Sequence, residues 1–107
     1  MGVDAITVEQ LAEWREGGVP HAVLDVREAH EVAICGIAGA IHIPMGQVPA
    51  RMAELPADAP LVVMCHHGMR SARVVSFLRG AGLRHAVNLD GGIDAWAEQF
   101  DAAMRRY

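Results

Sequence analysis

A cysteine followed by basic, small and hydroxyl-bearing residues lies near the middle of the sequence. Residues 65–71 read CHHGMRS, and they follow the apolar run 61–64, which reads LVVM. A short, β-branched apolar run predicts a strand that is buried on both faces, and the apolar spacing from Ser71 onward predicts an amphipathic helix. Cys65 therefore stands in a strand-to-helix turn, at the carboxyl end of the predicted strand.

Every group in this turn favours a negative charge on the cysteine sulfur. The backbone N–H groups of such a turn point to one place, and the following helix adds the positive end of its dipole. Gly68 permits a positive φ, Arg70 adds a fixed charge and Ser71 adds a hydroxyl. Such surroundings lower the pKa of a thiol from about 8.5 to between about 3.5 and 7.5. We therefore predict that Cys65 is a nucleophile; a buried structural thiol is the alternative.

The size and composition of the chain are those of one folded domain. Its 107 residues, of which 52% are hydrophobic, predict a single domain over residues 1–107 with a substantial core. The formal net charge is −4, and all nine basic residues are arginines. This mildly acidic balance argues against a nucleic-acid-binding module, which usually has a basic face.

Nothing in the sequence predicts export or insertion into a membrane. The longest run of apolar or small residues, 32–41, is about half as long as a membrane-spanning helix needs to be. The first residues, MGVDAITVEQ, lack the charged and apolar regions of a signal peptide. Two cysteines, Cys35 and Cys65, are too few for a disulfide scaffold. We therefore expect a cytoplasmic protein in which both thiols are free.

Predicted helices and strands alternate along the chain. Thr7 and Gln10 form a capping box for a first helix over residues 8–16. The other predicted elements are, in order, strand 22–26, helix 27–35, strand 40–44, helix 47–55, strand 61–64, a helix from 71 to the glycines at 80 and 82, strand 86–89 and a helix from 93 to the end of the sequence. This alternation predicts a parallel sheet with helices on both faces, an architecture that binds ligands beyond the carboxyl ends of its strands.

Three segments together resemble the single-domain rhodaneses, a family of sulfurtransferases. CHHGMRS matches the Cys-x-x-Gly-x-Arg-Ser active loop of that family, LDVREAHEVAICGIAGAIHIP resembles its Asp-x-Arg segment and the Gly-x-x-Gly-Ala…Ile-Pro stretch that follows, and NLDGGIDAWAEQ resembles its closing Gly-Gly…Trp segment. The segments occur in the family's order and spread over nearly the whole chain. The resemblance implies an α/β, rhodanese-like three-layer sandwich whose central, mainly parallel sheet has helices on both faces.

The resemblance also implies a reaction. A Cys65 thiolate takes sulfane sulfur from thiosulfate or a persulfide, and a thiol, cyanide or an acceptor protein removes it, without a cofactor. The loop residues expected to bind the anionic sulfur are His66, His67, Gly68, Met69, Arg70 and Ser71. Many rhodaneses carry a basic or polar residue directly after the cysteine, where this chain has His66. Because a histidine is only partly charged near neutral pH, we expect thiosulfate to bind weakly or with a pH dependence.

Two other segments follow predicted strands at the same sheet edge. We interpret Asp25 and Arg27 as a supporting pair that hydrogen-bonds the frame of the loop, with an ordinary ion pair as the alternative. Turn chemistry is sufficient to explain residues 90–92, which read DGG and border the expected pocket.

No metal site is expected. Cys65, His66 and His67 are consecutive, and three consecutive residues in a tight turn cannot all face one tetrahedral ion. Cys35 follows an apolar stretch, and we interpret it as a small buried residue rather than a resolving thiol. Trp96 lies on the apolar stripe of the last predicted helix, which indicates core packing.

Two other functions stay open on the sequence alone. Phosphatases and arsenate reductases of related folds bind oxyanions in Cys-x5-Arg loops. Here only four residues separate Cys65 from Arg70, so a tetrahedral oxyanion on the sulfur should fit poorly. A non-catalytic rhodanese-like module that only binds a partner usually lacks the cysteine, which this chain keeps. The sequence does not determine the physiological donor, the acceptor or the oligomeric state.

Overall fold

Five parallel strands form the central sheet of the computed structural model, which describes residues 4–107. In chain order they are β1 (Ala5–Ile6), β2 (Ala22–Asp25), β3 (Ile41–His42), β4 (Leu61–Met64) and β5 (Ala86–Leu89). Their order in the sheet is β1-β5-β4-β2-β3, and every neighbouring pair is parallel. β4 therefore lies at the centre, and the carboxyl ends of all these strands share one edge of the sheet.

Helices cover both faces of the sheet, as the sequence predicts. They are α1 (Val8–Glu16), α2 (Ala29–Val32), α3 (Val48–Arg51), α4 (Met69–Gly80) and α5 (Gly92–Phe100). Short 3-10 turns at Met45–Gln47 and Met52–Glu54 flank α3. The fold class predicted from the sequence is thereby confirmed. Across residues 4–107, no helix is long and apolar enough to cross a membrane.

The side chains of β4 alternate between two halves of the core. Val63 belongs to the cluster that contains Val75 of α4, whereas Val62 belongs to the cluster that contains Leu11 of α1 and Ile93 of α5. All five are buried. Burying one such side chain contributes about 1.5–3 kcal/mol. Because both faces of β4 are covered, its sequence has no polar alternation.

α1 begins with the capping box that the sequence predicts. The N–H of Gln10 donates to Thr7 Oγ1 at 3.1 Å, and the N–H of Thr7 donates to Gln10 Oε1 at 2.9 Å. The helix spans the predicted residues, and the N–H of Gly17 donates to the carbonyl of Glu13 where the helix ends. Local sequence is therefore sufficient to determine both ends of α1.

Three elements near the edges of the sheet differ from the prediction. β3 is two residues long, Ile41–His42, where the sequence predicts a strand over 40–44. β1 has only two residues, too few to show a periodic pattern, and it exists because Ala5 and Ile6 pair with β5. The predicted helix over 27–35 is shorter, since α2 begins only after Glu28, whose backbone is extended.

The last helix also ends earlier than its apolar spacing predicts. Asp101 leaves the helical conformation directly after Phe100. Residues 101–107 then fold back over α5, where Arg106 hydrogen-bonds Asp94. This return brings the last residue of the sequence, Tyr107, to the edge of the sheet where the strands end.

Candidate active site

Cys65 is the first residue after β4, at the edge where the parallel strands end. Its neighbours in the sheet are β2 and β5, so Asp25 and Asn88 lie beside the end of β4 on opposite sides. The cysteine is only 1% exposed. Its sulfur therefore interacts with groups of the protein more than with bulk water.

Hydrogen-bond donors surround the Cys65 sulfur. The N–H of Gly68 lies 3.1 Å from Sγ, and the hydroxyl oxygen of Ser71 lies 3.4 Å from it. Burial raises the pKa of the Cys65 thiol. Hydrogen bonds from the Ser71 hydroxyl and from the N–H groups of Ser71, Gly68 and Arg70 outweigh burial, so that the pKa is lowered from its ordinary value. The turn thus favours the thiolate.

Gly68 is required by the shape of the turn. Its φ is +107°, in the left-handed region, and it is the residue that precedes α4. A Cβ at this position would lie 3.3 Å from both the carbonyl oxygen of Leu89 and the nitrogen of Gly91. A glycine here lets the turn approach β5 closely and aims its N–H at the sulfur.

Asn88 is a buried site residue that sequence reasoning missed. Its Nδ2 donates to the carbonyl of Gly68 at 3.1 Å, and its Oδ1 lies 2.5 Å from the Ser71 hydroxyl. Ser71 has one hydroxyl proton for two acceptors, Asn88 Oδ1 and Cys65 Sγ, so the Asn88 contact competes with donation to the sulfur. The only signal in the sequence is one polar residue inside the apolar strand AVNL.

The beginning of α5 holds the other side of the turn. The N–H of Ile93 donates to the carbonyl of Cys65 at 2.9 Å, and the N–H of Asp94 donates to the carbonyl of His66 at 3.1 Å. Gly92 has a φ of +59°, and a Cβ there would collide with these two carbonyl oxygens. Gly92 of the DGG turn is therefore required by the shape of the Cys65 turn as well as by its own turn.

Arg70 is bound by a carboxylate that the sequence pattern does not reveal. Its Nη1 and Nη2 donate to Glu31 Oε1 and Oε2 at 2.7 and 2.8 Å. Hydrogen bonding from Arg70 holds the pKa of Glu31 well below its usual range, although burial acts in the opposite direction. The bond to Glu31 likewise raises the pKa of Arg70. Arg70 thus ties the start of α4 to α2, and much of its charge is compensated there.

Asp25 and Arg27 form a buried ion pair, with 2.7 Å between Arg27 Nη2 and Asp25 Oδ2. Arg27 also donates from Nη2 to the carbonyl of Cys35 at 2.7 Å and from Nη1 to the hydroxyl of Tyr107 at 3.0 Å. Burial lowers the pKa of Arg27, but the bonds to Asp25 and Tyr107 outweigh burial and raise it. Within residues 4–107, the side chains of Asp25 and Arg27 form no direct hydrogen bond with residues 65–71; Arg27 is connected to them through Tyr107, whose ring stacks on His66.

The remaining loop side chains lie toward the surface. His66 stacks on His67 with 4.0 Å between ring centroids, and on its other side it stacks on Tyr107 at 3.9 Å. Burial lowers the pKa of His66, and repulsion from His67 lowers it further. Met69 is 76% exposed, so its side chain points away from the sulfur and into solvent.

One group within the described residues brings potential metal ligands together. The ligand atoms of His66, His67 and Asp94 lie within 4.8 Å of one another. However, Arg106 donates to Asp94 Oδ1 at 2.9 Å, and His66 is packed between two rings. A metal ion would have to compete with a guanidinium and disturb the ring stack.

The sequence assigns Cys35 and Trp96 to packing, and the structure buries neither completely. Cys35 is a half-buried free thiol, and Arg27 Nη1 lies 3.8 Å from its Sγ. Trp96 packs against the core cluster beside α1 and α5, and its ring centroid is 5.1 Å from that of Phe100.

Comparison with known proteins indicates the same family that the sequence motifs resemble. A family model described as a rhodanese-like domain matches residues 7–99. The putative sulfurtransferase YtwF of Bacillus subtilis is 38% identical over 96 residues, which cover 90% of this chain and 92% of that protein. The thiosulfate sulfurtransferase GlpE of Pseudomonas aeruginosa is 34% identical over 97 residues, which cover 91% of this chain and 86% of that protein.

Some similar proteins are much longer. The match to the probable adenylyltransferase/sulfurtransferase MoeZ of Mycobacterium tuberculosis, 38% identical over 104 residues, spans 26% of that protein's length.

The crystal structure of a rhodanese-related protein from Thermoplasma volcanium has a TM-score of 0.82 and 36% sequence identity, with 91% of this chain and 93% of that chain covered.

Proposed function

This chain belongs to the rhodanese family, whose named relatives include sulfurtransferases, and on that premise we propose that it transfers sulfane sulfur through a persulfide on Cys65. The observation that carries the proposal is the set of donors around the Cys65 sulfur. They lower the pKa of a thiol that burial alone would leave protonated. The same donors are placed to hold the charge of a persulfide.

In the first step, the Cys65 thiolate attacks the outer sulfur of the donor. With thiosulfate, the donor's S–S bond breaks, sulfite leaves with the electron pair, and Cys65 becomes a persulfide. A low-molecular-weight persulfide reacts in the same way, with its thiolate as the leaving group. The N–H of Gly68, 3.1 Å from Sγ, and the positive end of α4 stabilise the negative charge on sulfur.

In the second step, an acceptor removes the outer sulfur. A cyanide or thiolate acceptor attacks that sulfur, the persulfide bond breaks, and Cys65 leaves as a thiolate ready for the next cycle. The products are thiocyanate or a new persulfide, and no external oxidant or reductant is needed. This is two-step, ping-pong chemistry, and we propose that it needs neither a cofactor nor a metal.

The charges around the turn favour a persulfide donor over thiosulfate. Arg70 is already paired with Glu31. Burial and the neighbouring His67 lower the pKa of His66, so its ring is mostly neutral at neutral pH. The sulfonate end of thiosulfate therefore meets little free positive charge from these two residues, and we expect a high KM for thiosulfate.

The acceptor in the cell is proposed to be a small thiol, with an acceptor protein as the second candidate. The name of MoeZ joins adenylyltransferase and sulfurtransferase activities in one longer protein, which supports a relay in which sulfur passes between proteins. We propose that this chain acts in a reducing cytoplasm as one domain over residues 1–107, because a persulfide-forming cysteine needs a free thiol.

Intact-mass analysis tests the proposal directly. The protein is incubated with thiosulfate or a low-molecular-weight persulfide, and then with cyanide or a dithiol. We expect a gain of one sulfur atom that the acceptor removes, and no stable gain on the Cys65→Ser variant. If no donor adds sulfur to Cys65, a partner-binding module without catalytic activity becomes the better explanation.

A second assay separates sulfur transfer from phosphatase chemistry. The turn has four residues between Cys65 and Arg70, and its donors enclose a single sulfur atom more closely than a phosphoryl group with three oxygens. We expect negligible hydrolysis of a small aryl phosphate by the unmodified protein. A phosphatase efficiency equal to its sulfurtransferase efficiency with several donors would reverse the assignment.

A further inference from the structure

Tyr107 contacts two parts of the active site at once. Its ring stacks on the ring of His66, with 3.9 Å between centroids and 12° between planes. Its hydroxyl donates to Glu31 Oε2 at 2.8 Å and accepts a hydrogen bond from Arg27 Nη1 at 3.0 Å. Tyr107 and Glu31 are 76 positions apart in the sequence, so only the folded chain brings these groups together.

The segment 101–107 is held in place by contacts of its own. Met104 packs against the core cluster beside α1 and α5, and Arg106 pairs with Asp94 at 2.9 Å. These contacts bring Tyr107 back from the end of α5 without burying it completely, since it remains 40% exposed. The position of Tyr107 therefore depends on the core packing of Met104 and on the ion pair of Arg106.

The ring and the hydroxyl of Tyr107 act on opposite ends of the catalytic turn. His66, which the ring contacts, directly follows Cys65. Glu31, which the hydroxyl contacts, holds Arg70 through two bonds of 2.7 and 2.8 Å. The N–H groups that face the Cys65 sulfur belong to Gly68, Arg70 and Ser71, which lie between these two ends or at the second of them.

We infer that Tyr107 is a positioning residue of the Cys65 turn: its ring fixes His66 at the beginning of the turn, and its hydroxyl fixes Glu31 and thereby Arg70 at the end. The hydroxyl stays protonated and able to donate at neutral pH, because burial and the Glu31 carboxylate raise the pKa of Tyr107 despite the opposing effect of Arg27. The inference rests on the proposed function for its activity measurement only.

The loss of Tyr107 should lower the rate of sulfur transfer more than it lowers the stability of the fold. Donors stabilise the reacting sulfur only when they converge on it, and a small displacement of catalytic groups can lower a rate by one or two orders of magnitude. We therefore expect kcat/KM for sulfur transfer to fall about tenfold when the ring is removed. Because fewer donors would then face the sulfur, the pH at which Cys65 becomes reactive should rise.

The experiment compares Tyr107→Phe, Tyr107→Leu and Tyr107→Ala in the full chain, with Cys35→Ser present so that only Cys65 is alkylated. Asp101→Ala is the matched control on the same segment, since Asp101 is exposed and its side chain forms no ion pair within residues 4–107. Three quantities are measured: kcat/KM, the midpoint pH of iodoacetamide alkylation and the thermal unfolding temperature.

We expect Tyr107→Leu and Tyr107→Ala to lower kcat/KM and to raise the midpoint pH of alkylation. Tyr107→Phe should be intermediate, because it keeps the ring and loses the hydroxyl. Asp101→Ala should match the unmodified chain. An unchanged alkylation midpoint in both Leu and Ala variants overturns the inference, even if activity falls together with thermal stability. If the unmodified chain transfers no sulfur, the proposed function fails, but the alkylation midpoints still decide the role of Tyr107. If Tyr107→Leu or Tyr107→Ala does not fold, Tyr107→Phe takes its place in this comparison, and the inference then requires that the alkylation midpoint of Tyr107→Phe rises.

Discussion

Cys65 and Cys35 show how the surroundings of a thiol decide its chemistry. Cys65 is more deeply buried, and burial alone would make it the less reactive of the two. Hydrogen bonds from the Ser71 hydroxyl and from the N–H groups of Ser71, Gly68 and Arg70 outweigh burial and lower the pKa of Cys65, which favours its thiolate. Among residues 4–107, the hydrogen-bond donor to the Cys35 sulfur is Nη1 of Arg27, at 3.8 Å.

Replacing Cys65 should abolish sulfur transfer and leave the fold intact. Cys65→Ser removes the nucleophile but keeps the size of the side chain, so we expect activity to fall by about a thousandfold or more. The matched control, Cys35→Ser, should retain most of its activity. Steady-state rates with thiosulfate or a persulfide donor, together with circular dichroism, provide the measurement. Comparable losses in both variants would indicate a two-thiol mechanism instead.

The alkylation of Cys65 should begin at a pH below that of a free thiol. Its lowered pKa means that the thiolate is present below the usual value of about 8.5. Iodoacetamide labelling of the Cys35→Ser variant against pH, read by intact mass, reports the midpoint. A midpoint at or above that of a small free thiol under the same conditions contradicts the role assigned to the donors.

At the scale of elements, the turn that follows β4, residues 65–71, is shaped by α5 as well as by its own residues. The first turn of α5 binds the carbonyls of Cys65 and His66 through the N–H groups of Ile93 and Asp94. With these carbonyls directed toward α5, the N–H groups of the same turn are free to face the sulfur. The shape of the turn therefore depends on the first turn of α5, which starts at Gly92.

A single methyl group at Gly92 should disturb this contact. Gly92→Ala places a Cβ against the carbonyl oxygens of Cys65 and His66 at a φ of +59°. We expect a loss of about 1–3 kcal/mol in the free energy of unfolding and a larger relative loss of sulfur transfer. Gly46→Ala is the control, because no atom lies within 4 Å of a Cβ built there. Denaturant unfolding and initial rates of both variants give the comparison, and equal effects of the two substitutions would count against the argument.

At the scale of the molecule, polar bonds join parts of the chain that the hydrophobic core does not join. Arg70 at the start of α4 bonds Glu31 of α2, and Tyr107 from beyond α5 bonds the same carboxylate. Glu31 is 7% exposed, so its charge is stabilised mainly by these bonds rather than by water. The stability of the fold should therefore depend on whether the Glu31 carboxylate is ionised, and hence on pH.

Removing the Glu31 charge should destabilise the protein at neutral pH and flatten its acid response. The pKa of Glu31 is lower in the folded state, so its contribution is present above the unfolded pKa of about 4.3 and is lost as pH falls toward the folded pKa. We expect Glu31→Gln to lower the free energy of unfolding by about 2 kcal/mol at pH 7. Below pH of about 5, its stability should fall less steeply than that of the unmodified chain.

The control for this measurement is Glu54→Gln, which removes an exposed carboxylate that also binds an arginine, Arg51. An exposed pair of this kind is screened by solvent, so the substitution should have a smaller effect on stability. Urea unfolding of the three proteins between acid and neutral pH gives the comparison. If Glu31→Gln and Glu54→Gln behave alike, the buried carboxylate does not have the role described here.

The sequence by itself determined the elements whose signals are local. The apolar run at β4, the capping box at Thr7 and the alternation of helices and strands each depend on neighbouring residues, and the structure has them at or near the predicted positions. The fold class and the position of Cys65 at the end of β4 follow from the same patterns. The family follows from three motifs in order, and the match over residues 7–99 confirms it.

Only the tertiary structure decided which distant side chains surround the turn. Asn88 meets Ser71 across 17 positions, Glu31 meets Arg70 across 39, and Tyr107 meets Glu31 across 76. Periodicity reports which face of an element is buried, but it carries no information about which polar groups two packed elements bring together. These contacts depend on the strand order of the sheet and on the return of residues 101–107 over α5, and both arise only when the whole chain has packed.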